Sequence, residues 1–230
     1  MTNMIGESGY ERKKLDAYYT RPWVTRWLLE ATHLFEGAMD SGVVWEPACG
    51  AGWMSDVLLE AGYDVLSTDV MDHGYKKMTG LQDFLAVEEC SPLIRTIITN
   101  PPYLIQDNPD APDISAELFV RRALALMKPV NGSVFMLLRH EFDCAKGRRD
   151  LFDPPEVGGS PFNAKYVLTK RPEWTDESMP VKEKASPRHN YAWYHWDWGM
   201  EPDVEPVCRW LPWKGPKAHG VPQEPESDAS

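Results

Sequence analysis

At 230 residues, 43% of them hydrophobic, the chain is long enough to bury one substantial core and short for two full domains. A formal charge of −11 and an isoelectric point near 5.0 exclude a protein that coats nucleic acid through bulk electrostatics, so contact with a polyanion has to come from a local patch. No stretch approaches the ~18 unbroken apolar residues of a membrane span, the N-terminus lacks the apolar core of a signal peptide, and Cys49, Cys90, Cys144 and Cys208 form no CxxC pair, so a cytoplasmic protein with reduced thiols is expected.

Residues 1–14 are expected to be flexible. Over 22–35 the apolar residues Trp23, Trp27, Leu28, Ala31, Leu34 and Phe35 recur at helical spacing, and Thr20 stands where it can cap the first turn. A short apolar run over 43–45 reads as a buried strand that ends at Glu46. The glycine-bearing loop after it leads into a helix over 53–61, which Gly62 closes. A second strand, 65–68, ends at Asp69, and an irregular polar segment leads to Asp83 and Phe84. A third strand, 96–99, stops at Asn100-Pro101-Pro102-Tyr103, because two consecutive prolines cannot continue a ladder.

Residues 114–127 read as a helix, Gly132 as a turn and 134–138 as a buried strand. Strands alternating with helices imply an α/β fold with a mostly parallel, doubly wound sheet. Beyond Arg139 the pattern weakens, leaving 166–169 and 191–196 as strands, the latter expected to be a half-buried final strand. One catalytic domain over 1–200 and a proline-rich, poorly ordered tail over 201–230 are the expected organisation.

The loop Glu46-Pro47-Ala48-Cys49-Gly50-Ala51-Gly52 lies between a strand and a helix, where Gly50 and Gly52 let the backbone approach a ligand. Asp69, at the end of the next strand and followed by Val70, stands where a carboxylate can accept hydrogen bonds from ribose hydroxyls. A dinucleotide and S-adenosylmethionine both carry adenosine. Glu46, read as a negative charge in the loop, disfavours the pyrophosphate of the former and suits the sulfonium of the latter.

The Asn-Pro-Pro-Tyr step falls at the C-terminal end of a strand, the edge where open α/β sheets place ligands. The Asn100 side-chain oxygen and the Pro101 carbonyl can each accept an N–H of a planar amine, drawing its lone pair toward an electrophile. Pro102 holds Pro101 in extended geometry, and Tyr103 offers a flat face to a base.

On these residues the chain resembles the N6-adenine DNA methyltransferases, over roughly residues 15–140. Asp16-Ala17-Tyr18-Tyr19-Thr20-Arg21-Pro22 is similar to the family's upstream cofactor motif, residues 46–52 to its glycine loop, and residues 100–103 to its catalytic motif, in the gamma order. The resemblance implies that Tyr19 and Thr20 hold the methionine end of S-adenosylmethionine, that Asp69 binds ribose, and that Asp83, beside Phe84, meets the adenine amino group. It further implies an adenine-containing DNA target extruded from the duplex, direct methyl transfer without a metal, and a restriction-modification setting in a bacterium or phage-infected host. Residues 139–198 resemble small phage-type members. Little globular sequence is left for the large C-terminal target-recognition domain that such enzymes commonly carry.

Arg139, His140, Lys146, Arg148, Arg149, Lys165, Lys170 and Arg171 form either a phosphate-facing surface or a solvated mixed-charge face. His189, His195 and Asp197 match no usual metal spacing, and no metal is assigned. A protein glutamine amide, which presents the same planar NH₂, RNA adenine, and a catalytically inactive cofactor-binding module are the alternatives.

Overall fold

The structure, a computed structural model, describes residues 19–32, 42–103, 116–173, 189–201 and 204–212. Expectations that fall elsewhere, including the flexible 1–14, the upstream triplet at 16–18 and the end of the chain, lie outside the described residues.

The eight described strands form a single sheet in the order β3-β2-β1-β4-β5-β7-β6-β8. They are β1 (Val43–Glu46), β2 (Val65–Asp69), β3 (Gly80–Leu81), β4 (Ile94–Thr99), β5 (Ser133–Arg139), β6 (Phe162–Leu168), β7 (Tyr191–Asp197) and β8 (Val207–Leu211). Only β7 among them runs against the rest, pairing antiparallel with β5 and with β6. The mostly parallel α/β sheet read from the sequence is present, and the predicted strands match the observed ones to within a few residues.

Three described helices cover the sheet: α1 (Pro22–Thr32), α2 (Trp53–Glu60) and α3 (Ala116–Met127). Side chains alternate across a strand, so each strand feeds both faces. Val44, Ile98, Phe135, Leu137 and Trp193 pack with Leu28 of α1 and Met54 of α2, while Trp45, Ile97, Val134, Met136 and Tyr194 pack with Phe119 and Ala123 of α3. Gly62, at φ 89°, ends α2 in the left-handed region that a side chain would resist, and its N–H returns to Leu59 O at 3.0 Å.

The order of strands places the ligand edge. The chain moves outward from β1 to β2 and β3, then returns to lay β4 on the other flank of β1. The direction of winding therefore reverses between β1 and β4, and at such a switch point the loops beyond the strand ends splay apart and leave a crevice. Here those loops are 46–52 and 100–103.

Two expectations change. The strand at β7 is neither final nor half-buried: every residue of Tyr191–Trp196 is buried, because β5 and β6 flank it and helices and loops cover both faces. Its indoles reach acceptors off the sheet, Trp193 Nε1 to Val24 O at 3.1 Å and Trp196 Nε1 to Leu151 O at 2.6 Å, as buried Trp requires. The alternation of polar and aromatic residues there resembles a one-faced strand only because Tyr, Trp and His carry polar tips on apolar bodies.

The expected irregular stretch after residue 200 also contains β8, laid parallel on β6 from Ala164/Val207 to Leu168/Leu211. Leu211 is fully buried in the core, and its carbonyl accepts from Thr169 Oγ1 at 2.6 Å. The prolines and charges around this short apolar run masked it. Leu211→Ala is therefore expected to lower unfolding free energy by about 2–5 kcal/mol in denaturant titration, as for other buried leucines. A change within about 0.5 kcal/mol, the usual range for an exposed site, would show that β8 is not part of the core.

Candidate functional site

A cleft of about 900 Å³, open to solvent, occupies the switch point. Its walls come from the residues before α1 (Tyr19, Thr20), the loop after β1 (Glu46, Pro47, Ala48, Cys49, Gly50), the end of β2 (Asp69, Val70), the step at Asp83 and Phe84, and the end of β4 (Asn100, Pro102). Thus thirteen positions singled out from the sequence converge from five separate segments; Gly52, Pro101 and Tyr103 are the ones that do not line it.

Each of those three has another place. Gly52 is at φ 80°, just ahead of α2, and a Cβ added there would overlap the Tyr75 ring, so its small size serves packing within the chain. Pro101 is buried behind its neighbours. Tyr103 donates its hydroxyl to Leu137 O at 2.6 Å, with Tyr191 edge-on at 5.8 Å and the Arg139 guanidinium 5.8 Å from its ring, which fixes it where β4, β5 and β7 end together.

The glycine loop is pinned by a carboxylate. Asp69 Oδ2 accepts from Gly50 N at 2.8 Å and Oδ1 from Met71 N at 3.0 Å, tying the loop after β1 to the end of β2. A carboxylate has about four lone-pair sites, so these bonds leave acceptor capacity directed at the cleft. His73 Nε2 stands 3.6 Å from Asp69 Oδ1, and His73 Nδ1 is 3.4 Å from Tyr19 Oη. A Cβ at Gly50 would lie 2.9 Å from the Tyr19 ring, so the glycine admits Tyr19 to the cleft wall.

Glu46 is the most perturbed group. It is 2% exposed, Ser55 Oγ donates to its Oε2, and Ser55 Oγ is in turn 2.7 Å from Ser67 Oγ. Burial pushes its pKa up from an ordinary 4.5 to about 8, with Asp69 and Asp56 adding in the same direction against the Ser55 hydrogen bonds. The sequence reading of Glu46 as a standing negative charge is thereby corrected. Burial thus disfavours the ionised carboxylate, and a cation beside it would favour it.

Cys49 is buried, and its thiol is pushed well above its usual range by burial and then by Glu46 and Asp69, so it is no nucleophile. Asp83 accepts from Leu85 N at 3.0 Å, fixing the turn that carries Phe84. Trp53, Met54, His73, Gln82, Leu85 and Phe119 also line the cleft and were missed. Trp53 and Gln82 adjoin recognised motifs and could have been found by adjacency. Phe119 reaches the cleft through tertiary packing, its ring 5.0 Å from Phe84, and leaves no local signal.

The wall charges are one-sided. Glu46, Asp69 and Asp83 line the cleft together with His73, and among its described lining residues there is no lysine or arginine. Such a wall suits a ligand with positive charge and adenosine-like polarity and opposes a phosphate.

No family model matches the sequence, and no curated protein matches it. Solved structures do. A Listeria monocytogenes protein described as a class I S-adenosylmethionine-dependent methyltransferase superposes with a TM-score of 0.57 at 16% identity, over 89% of this chain and 68% of that one. The chain has the S-adenosylmethionine-dependent methyltransferase fold. A protein from Pyrococcus horikoshii described as an RNA methyltransferase gives 0.56 at 16% identity over 82% and 91% of the two chains. DrdV, solved bound to DNA, gives 0.52 at 17% identity, and the match covers 87% of this chain but 28% of DrdV.

The protonation of Glu46 predicts a pH signature. Because its folded pKa lies above its unfolded one, its contribution to stability is fully present below about pH 4.5 and is lost as pH rises through about 8. Thermal melts from about pH 6 to about pH 9 should show the wild-type Tm falling, with a shallower fall for Glu46→Gln, which keeps the Ser55 acceptor without an ionisable proton. Parallel pH profiles for the two proteins would remove Glu46 from this account.

Proposed function

We propose that the protein is an S-adenosylmethionine-dependent methyltransferase that modifies the N6 amino group of adenine in DNA. The observation that carries this reading is the position of Asn100: it lines the same cleft as the acidic wall, at the C-terminal end of β4.

The lining of the cleft fits the cofactor: Asp69, Asp83 and Phe84 would hold its adenosine, and Tyr19, Thr20, Glu46 and the 46–52 loop its cationic methionine end, where a positive charge would favour the ionised form of the buried Glu46 carboxyl. Bound there, S-adenosylmethionine supplies an electrophilic methyl group. The protein's own task is to activate a poor nucleophile, since the lone pair of adenine's amino nitrogen is delocalised into the ring. The Asn100 side-chain oxygen and the Pro101 carbonyl accept the two N–H groups, localising the lone pair and stabilising positive charge as it develops on nitrogen. Both acceptors sit on backbone that Pro101 and Pro102 restrict, so little reorganisation is required. The adenine must leave its stack to reach this edge.

With radiolabelled S-adenosylmethionine and a panel of duplex DNA, RNA and glutamine-bearing peptide, label is expected in DNA as N6-methyladenine. Asn100→Ala should reduce transfer by about 10²–10³-fold, the usual effect of removing one preorganised polar contact to a developing charge. Calorimetric affinity for the cofactor should persist in that variant. Label in peptide or RNA alone, or wild-type turnover by Asn100→Ala, would contradict the assignment.

A further inference from the structure

The residues that follow β2 are exposed except at one inward side chain. Val70, Met71, Asp72 and Gly74 are exposed, whereas His73 has 14% of its side chain exposed and lines the cleft. The turn that carries it is tied down on both sides. Met71 N donates to Asp69 Oδ1 at 3.0 Å, Gly74 N donates to Asp72 Oδ1 at 2.7 Å, and Tyr75 donates its hydroxyl to Asp56 Oδ1 of α2 at 3.0 Å while its ring fills the space beside Gly52. The backbone therefore sets the inward position of the imidazole.

His73 stands between two segments that are far apart in the chain. Its Nδ1 is 3.4 Å from Tyr19 Oη, its Nε2 is 3.6 Å from Asp69 Oδ1, and the Tyr19 ring lies edge-on at 6.0 Å. A carboxylate only accepts, so in the neutral ring the proton sits on Nε2 facing Asp69, and Nδ1 accepts from the Tyr19 hydroxyl. At 3.6 Å the approach to Asp69 is electrostatic and short of a made hydrogen bond, so it orients the carboxylate without consuming a lone pair. Asp69 Oδ2 receives Gly50 N, and Gly50 leaves room for the Tyr19 ring. Tyr19, His73, Asp69 and Gly50 thus close a ring of contacts along one wall of the cleft.

We propose that His73 is a positioning residue for S-adenosylmethionine, linking Tyr19 to Asp69 so that the two are held in register before the cofactor enters. This rests on the cofactor reading above and is independent of which substrate is methylated. The linkage contributes preorganisation. Without it, Tyr19 and Asp69 have to be ordered relative to each other on binding, and that ordering weakens affinity. The sequence marks Tyr19 and Asp69 through separate motifs, and the residue that joins them belongs to neither.

The test is calorimetric titration of the full chain with S-adenosylhomocysteine. His73→Ala should bind about 10-fold more weakly than wild type, the scale of a lost polar contact to a charged group. His73→Gln, whose amide reaches the Nε2 position, should recover most of that loss. His73→Asn, which reaches toward Tyr19 and not Asp69, should not. Tyr19→Phe should also weaken binding, and by less in the His73→Ala background than in wild type, because its hydroxyl acts through the imidazole. Thermal midpoints of the ligand-free variants should stay within about 2 °C of wild type, as for changes on an exposed turn. A larger fall in every His73 variant, with affinity falling in step, would make the role structural and overturn the proposal. Should His73→Ala fail to fold, the contrast between the Gln and Asn variants carries the test. His73 variants that bind as tightly as wild type, or losses at Tyr19 and His73 that simply add, would overturn the linkage and leave the cofactor cleft standing. A wild-type protein with no affinity for S-adenosylhomocysteine would end the cofactor reading itself.

Discussion

The site depends on two carboxylates held under the glycine loop. Asp69 receives Gly50 N–H and Met71 N–H, and Glu46 receives Ser55 Oγ–H, so the loops beyond β1 and β2 are fastened to each other and to the first turns of α2. Buried carboxylates are tolerable only when their acceptor sites are used, and both are used here by groups that the loop would otherwise leave unsatisfied. The arrangement thus does two things at once. It fixes the backbone around an open crevice, and it concentrates negative potential on one wall of it. Burial disfavours the ionised form of Glu46, so a cation in the cleft would strengthen that potential.

Around this pair the charges are separated by function. Acidic groups line the interior, without a lysine or arginine among its described lining residues, and Asn100 stands at the end of β4. A uniformly basic protein would draw phosphates into the cofactor cleft as readily as across its mouth.

Much of this was legible in the sequence wherever a single local signal decides the outcome. Paired prolines after an apolar run end a strand, glycines mark the loop, and acidic residues at strand ends mark the ligand edge; Glu46, Asp69, Asp83 and Asn100 were found that way and share one cleft. What was not legible depends on neighbours distant in the chain. The burial of β7 follows from β5 and β6 on its flanks, and β8 is a strand because β6 offers it an edge, not because residues 207–211 carry a strong pattern of their own. Phe119 enters the cleft by helix packing, and the charge state of Glu46 is set by desolvation, which no linear motif encodes. That Arg148, Arg149 and Lys165 are paired with carboxylates likewise follows from residues distant in the chain or set by local turns, not from a motif.

If the proposed function holds, this cleft presents a methyl group to an amine held at Asn100, and a crystal structure of the protein with S-adenosylmethionine decides it. The adenosine is expected against Asp69, Asp83 and Phe84, the methionine end beside Tyr19 and Glu46, and the methyl carbon directed at the side chain of Asn100. A ligand bound outside this cleft, or one whose methyl group points away from Asn100 into the protein, would contradict it.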